Sequence, residues 1–412
     1  MTNPLLSISL WFSNLLTGWG LPSGLVAVIL GIAGVLITCV FVLVLAVFLV
    51  WVERKVVARF QDRLGPNRIG PFGLIQPFAD IIKLLIKEDI TPNGADRVVY
   101  NLAPILALAA VLLIWAVIPF APSVLGADVN IAVLYVVAVG SIGTLSIIMA
   151  GWASNNKYAL LGAFRTVAQM ISYEVPMVIA LLIPVILAGS MGMSEIVNDQ
   201  KIWFVLIIPV AAFIFLVTSI AEIGRSPFDL IEAESEIVAG FHIEYTGMKF
   251  GLFYAGELLH ALTIGALFAT LFLGGWKGPG VTLPYIGPFL GVFYLLLKSF
   301  LIYFVIMWIK YSLPRIRIDH MLAFNWKFLT PLALVLLIVV AILHKLMVTL
   351  EFSYILYIVI MFFANIVTFF MALNLVKNYA SNTRKNLGKP PEVVVIQTNP
   401  KIDQPSPVTS NS

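Results

Sequence analysis

Six acidic side chains crowd residues 221–249: Glu222, Asp229, Glu232, Glu234, Glu236 and Glu244, against only Arg225 and Lys249. Asp229, Glu232 and Glu236 are spaced i, i+3, i+7, so on a helix they share one face while Glu234 points elsewhere. Carboxylates this close repel. Where they are partly buried their pKa values rise and they titrate as a coupled set, which lets them store a proton near neutral pH. A solvated acidic helix has the same spacing, so the loop alone leaves both readings open. Ser226-Pro-Phe-Asp229 predicts the start of that helix, with serine as cap and proline at the first position. Glu174 and Glu257 interrupt apolar stretches, and His260 follows Glu257 at i+3, on the same face. Acids inside a membrane are functional hypotheses by default, here for proton transfer, and Lys298 could extend the same polar line. His260 and His344 fall at different depths, which disfavours a bis-histidine haem. Cys39 is the only cysteine, so the chain can form no intrachain disulfide, cysteine-ligated cluster or zinc site; no metal site is expected.

The elements that must hold these residues are membrane helices. The chain is 60% hydrophobic and 11% charged, whereas soluble domains carry roughly 25% charge. A hydrocarbon core about 30 Å thick needs roughly 20 apolar residues per helix. Nine stretches qualify, near 24–51, 99–120, 129–151, 167–189, 202–221, 250–274, 286–309, 328–347 and 353–376. Prolines 104, 176, 184 and 209 lie inside them, where neighbouring helices can satisfy the freed carbonyls. The expected fold is all-α: a polytopic transmembrane helix bundle. Residues 1–377 form one membrane domain, and 378–412, rich in Lys, Pro, Asn and Ser, form a disordered or extended tail. Residues 1–23 have no charged side chain and so lack the basic region of a signal peptide, so the first span is expected to persist as a membrane helix.

Of the 25 Lys and Arg residues, 21 lie in alternate loops and the tail, three lie opposite, and Lys298 is inside a span. The positive-inside rule then puts the N-terminus outside and the charged loops and tail in the cytoplasm. Segments 52–98 and 221–249 hold 22 of the 46 charges with signs mixed, which suits a docked partner better than a free transporter. In the first, Gly65-Pro-Asn-Arg-Ile-Gly-Pro-Phe-Gly73 predicts successive turns. Gln76, Asp80, Lys83 and Lys87 then form one polar stripe opposite Ile75, Phe78, Ile82, Leu85 and Ile86, an amphipathic helix in the membrane plane.

Glu53-Arg-Lys, Gly65 through Asp80, Lys83 to Glu88, Ser172-Tyr-Glu-Val-Pro176, Arg225 through Glu236 and Glu244-Tyr together resemble the family of H-type membrane subunits of respiratory complex I. The likeness covers about residues 24–347; residues 353–376 add a span, and Leu258 and Ile231 depart from the family's habits. The resemblance implies a subunit of a proton-pumping NADH:quinone oxidoreductase in a bacterial inner membrane. It would bind no redox cofactor itself, with quinone as substrate, and NADH, FMN and iron-sulfur clusters in partner subunits. Its partners would be the peripheral-arm subunits of the quinone site and the antiporter-like membrane subunits. It also implies a quinone-chamber role for Arg54, Arg63, Asp80 and Phe228, and a proton-relay role for Glu174, Asp229, Glu232, Glu234, Glu236 and Glu257, with Arg225 and Glu244 in the same network. The alternatives are the anchor subunit of a membrane-bound hydrogenase and a free-standing ion transporter.

Overall fold

A computed structural model describes residues 4–122, 124–230, 238–283 and 285–387. Among these, eight helices are long and apolar enough to cross a membrane. The first long one, α2 (Ser23–Phe60), follows a shorter α1 (Pro4–Gly18) that apolar length alone does not separate from it. At 38 residues α2 is about 57 Å long, far more than a bilayer core requires, and its last turns carry Glu53, Arg54, Lys55 and Arg59. The amphipathic helix forms as expected, as α3 (Gln76–Ile86), after turns that include a short 3-10 segment at Pro71–Gly73. Its apolar residues Phe78, Ile82, Leu85 and Ile86 are exposed on the chain.

Next come α4 (Arg97–Ile114), α5 (Ala132–Ala153) and α6 (Lys157–Ala188). Asp96 starts α4 by accepting from the amides of Val98 and Val99, and Asn156 starts α6 by accepting from Tyr158. Because Asn156 caps there and no breaker follows, α6 begins ten residues before the expected 167. Pro104, Pro176 and Pro184 are accommodated inside helices.

The expected span at 202–221 is different: it is two pieces, α8 (Phe204–Ile207) and α9 (Pro209–Ile223), following a short α7 (Met193–Asp199). Ile208 leaves helical geometry (φ −128, ψ 61) because a proline ring disfavours the helical conformation in the residue before it. Pro209 then opens α9 at its first turn, where no amide is needed.

After the acidic loop come α10 (Gly247–Phe272), α11 (Gly287–Ser312), α12 (Ile318–Phe324), a π turn at Asn325–Leu329, α13 (Thr330–Thr349) and α14 (Tyr354–Leu387). The most enclosed of the long helices is α10, packed against α4, α9 and α11. Its N-terminal end joins a core of Tyr100, Phe241, Tyr245, Phe253 and Met170. Gly162 lets α6 approach the turn at Gly240–His242, since a Cβ there would lie 2.8 Å from the Gly240 backbone. By compactness the chain divides into Met1–Phe369 and Phe370–Ser412.

Candidate functional site

The charged residues of the bundle converge where α2, α10, α11 and the loop after α9 meet. Glu53 occupies the buried stripe of α2 that runs Val42, Ala46, Leu49, Glu53. Its Oε1 accepts from Lys310 Nζ at 2.7 Å and from the Tyr311 hydroxyl at 2.6 Å, both on α11. Arg225 Nη1 lies 3.6 Å from the same oxygen, and Arg225 Nε lies 2.9 Å from Glu257 Oε1 on α10. Glu53 and Arg225 are 6% and 7% exposed, and with the half-buried Glu257 and Lys310 they make an array of two carboxylates and two cations that compensate each other. Burial works against the Arg225 charge, but Glu257 and then Glu53 outweigh it and raise its pKa above the ordinary value. Among the described residues Glu53 Oε2 has no hydrogen-bond partner, so the array retains an unused acceptor.

A turn sets Arg225. Gly224 ends α9 in the left-handed region (φ 71), and the buried Gln169 on α6 donates to both Ala221 O (2.6 Å) and Phe228 O (2.7 Å). Ser226 Oγ donates to Leu313 O, and Ile316 N donates to Pro227 O, docking the turn beside α11. The predicted helix start at Ser226–Asp229 is therefore a turn, with a cis Ser226-Pro227 peptide. Asp229 is half-buried at its end. Glu232, Glu234 and Glu236 lie outside the described residues.

Beyond Glu257, a cavity of about 100 Å³ is lined by Glu222, His242, Tyr254, Glu257, His260 and Ser146 among apolar neighbours. A smaller one, about 20 Å³, is lined by Glu174, Glu222 and His260. Both volumes exceed what a water molecule needs, and both walls offer polar partners. Glu222, 9% exposed, borders both cavities, and Gly140 leaves room beside its Oε1. Glu174 accepts from Ser141 Oγ at 3.0 Å. Burial lowers the pKa of His242, which favours its neutral form.

Other expected site residues stand elsewhere. Arg54 Nη1 pairs with Asp80 Oδ2 at 2.5 Å, tying α2 to α3. Beside them an open cleft of about 540 Å³ is lined by Trp51, Lys55, Arg59, Phe72 and Leu74. Arg63 is exposed and donates to Gln61. Phe228 is buried against the Tyr173 ring at 5.4 Å. Glu244 accepts from Asn156 Nδ2 at 2.6 Å, at the start of α6 rather than in the charged array. Lys298 does not extend the polar line: its Nζ donates to the carbonyls of Leu273, Gly275 and Lys277, each at 2.8 Å. Among the described residues no group of three His, Cys, Asp or Glu could hold a metal ion.

Residues 32–341 match the family described as NADH dehydrogenase. The NADH-quinone oxidoreductase H subunit of Dehalococcoides mccartyi (strain CBDB1) is 52% identical over 301 residues, covering 73% of this chain and 83% of that one. The H subunit of Geobacillus kaustophilus is 45% identical over 308 residues, covering 73% and 91%. That of Burkholderia ambifaria is 43% identical over 321 residues, covering 75% and 90%. This chain belongs to the family of NADH-quinone oxidoreductase H subunits.

It is accordingly an integral membrane subunit of an NADH:quinone oxidoreductase, as the motifs implied. In this H subunit, the structure brings together Glu174, Arg225 and Glu257 from the expected set and adds Glu53, Glu222, Lys310 and Tyr311. Glu53 reads as an interfacial anchor by position, yet it continues a buried stripe at i+4 from Leu49, and that was the available signal. Lys310 likewise continues Tyr303, Ile306 and Met307 on α11. Glu222 continues Phe215, Thr218 and Ser219 on α9.

Proposed function

We propose that this subunit couples quinone reduction to proton translocation by electrostatic rearrangement of its buried array. The observation that carries this is the series Glu53, Arg225 and Glu257, followed by two cavities that share Glu222 in their walls, the second reaching Glu174. Reducing a quinone adds negative charge in a low-dielectric chamber, where a unit charge several ångströms away is worth a few kcal/mol at an effective dielectric near 20. Arg225 is shared between two carboxylates at unequal distances, so an approaching negative charge can change how it is shared. A carboxylate released from its cation takes up a proton, and the cavities give that proton a wet path inward. Asp229, Glu232, Glu234 and Glu236, which follow Arg225 in the sequence, are the entry side of this relay.

The quinone chamber's membrane entrance is assigned to Arg54, Asp80 and the Trp51–Phe72 cleft. Support comes from the exposed apolar face of α3 and the basic Lys55 and Arg59 at the cleft. Peripheral-arm subunits holding the iron-sulfur clusters, FMN and the NADH site would dock on the charged loops, on the cytoplasmic side of a bacterial inner membrane. Glu174→Gln tests the relay: in the assembled complex in proteoliposomes, NADH-driven proton pumping should fall at least about tenfold, a floor below the about 10²–10⁴-fold that one proton-transfer group typically contributes. Pumping at the unsubstituted rate would remove the relay.

A further inference from the structure

Among the described residues, His260 is the one titratable side chain besides Glu222 that borders both cavities. It sits one turn from Glu257 on α10, about 4.5 Å along the axis, on the helix packed most deeply in the bundle. A histidine kept for packing has its ring nitrogens satisfied, because buried polar groups are nearly always hydrogen-bonded. His260 makes no hydrogen bond to a described residue, and its remaining accessible surface borders the cavities rather than closing them. The titratable groups facing it are Tyr254 and Glu257 from its own helix, Glu222 from α9, Glu174 from α6 and His242 from the turn before α10; α4 and α5 contribute none to the cavity walls.

Resting on the carboxylate relay proposed above, we infer that His260 carries the proton between the two cavities, from the Glu257 side to the Glu174 side. One ring nitrogen accepts a proton from the larger cavity, and the imidazolium releases its other N–H proton toward the smaller one. Exchange of the tautomer or rotation of the ring restores the starting state, so one proton enters, one leaves and no electron moves. Imidazole suits this step because its two ring nitrogens are distinct, so one can take up a proton on one side while the other gives one up on the opposite side. A carboxylate flanked by Glu222, Glu174 and Glu257 would add a fourth like charge; a neutral histidine adds none.

The test compares isosteric side chains that differ in titration, His260→Asn and His260→Asp, in the assembled complex reconstituted in proteoliposomes. His260→Asn should cut proton pumping about tenfold or more, and His260→Asp should recover part of it with a pH profile different from that of the unsubstituted complex. A structural role would favour asparagine over a new buried charge, so the reverse order, or equal pumping in both, overturns the inference. If either variant fails to assemble, the His260→Gln and His260→Glu pair gives the same comparison. Glu174→Gln run alongside separates the two claims. Blocked pumping there with unaltered pumping in His260→Asn removes only the histidine step, whereas normal pumping in Glu174→Gln removes the relay and the step with it.

Discussion

Arg225 is the residue on which most of the buried charge depends. It contacts Glu53 and Glu257 at once while 7% exposed, so its removal leaves Glu53 with Lys310 as its cation and takes the guanidinium from Glu257. Breaking a buried pair by deleting one partner costs about 3–5 kcal/mol. Arg225→Gln should therefore lower the thermal midpoint of the detergent-purified complex as well as abolish coupled turnover, and Arg225→Lys should recover part of both. An unchanged midpoint in Arg225→Gln would mean that the array is wetter than its geometry implies. The titratable residues divide between those that stand out by type and those whose place only packing reveals. Glu174 and Glu257 stand out as acids in apolar runs. Glu53 does not, because a charge at the end of a long helix is also what an anchor looks like.

At the scale of elements, the long helices follow from apolar length and caps, while the site depends on the short pieces between them. The turn at Gly224–Asp229 fits helix-start chemistry by residue type, but Gln169, more than fifty positions away, holds both ends of it as a turn. Only tertiary contact supplies that information. The turn at Gly240–His242, packed on α6, carries a pH dependence. Burial lowers the His242 pKa in the docked turn, so the undocked chain binds more protons below its ordinary value. Docking is at full strength above about pH 6.5 and weakens as pH falls through that value toward the lowered one. Amide hydrogen exchange over residues 238–246, corrected for intrinsic rate, should speed up between about pH 7.5 and pH 5.5, and His242→Phe should remove the pH effect. Exchange independent of pH in the unsubstituted chain would contradict it.

Across the whole molecule, scarcity of charge is what made the fold legible. With 11% charged residues, the spans and the distribution of basic loops stand out from the sequence, and the matching family covers residues 32–341, leaving α14 as an addition. The broken helix at Ile208 and the fixing of Lys298 by three carbonyls were not legible, since both depend on what the neighbouring backbone offers. In the coupling proposed above, charge at the Glu53–Arg225–Glu257 array is passed inward through Glu222 to Glu174. Glu222 is the decisive position, because it alone among the described carboxylates lines both cavities. The direct measurement is the number of protons pumped per NADH oxidised by Glu222→Gln in proteoliposomes. The expected result is a fall in that ratio, or at least about a tenfold loss of coupled turnover; an unchanged ratio at an unchanged rate would rule out a path through Glu222.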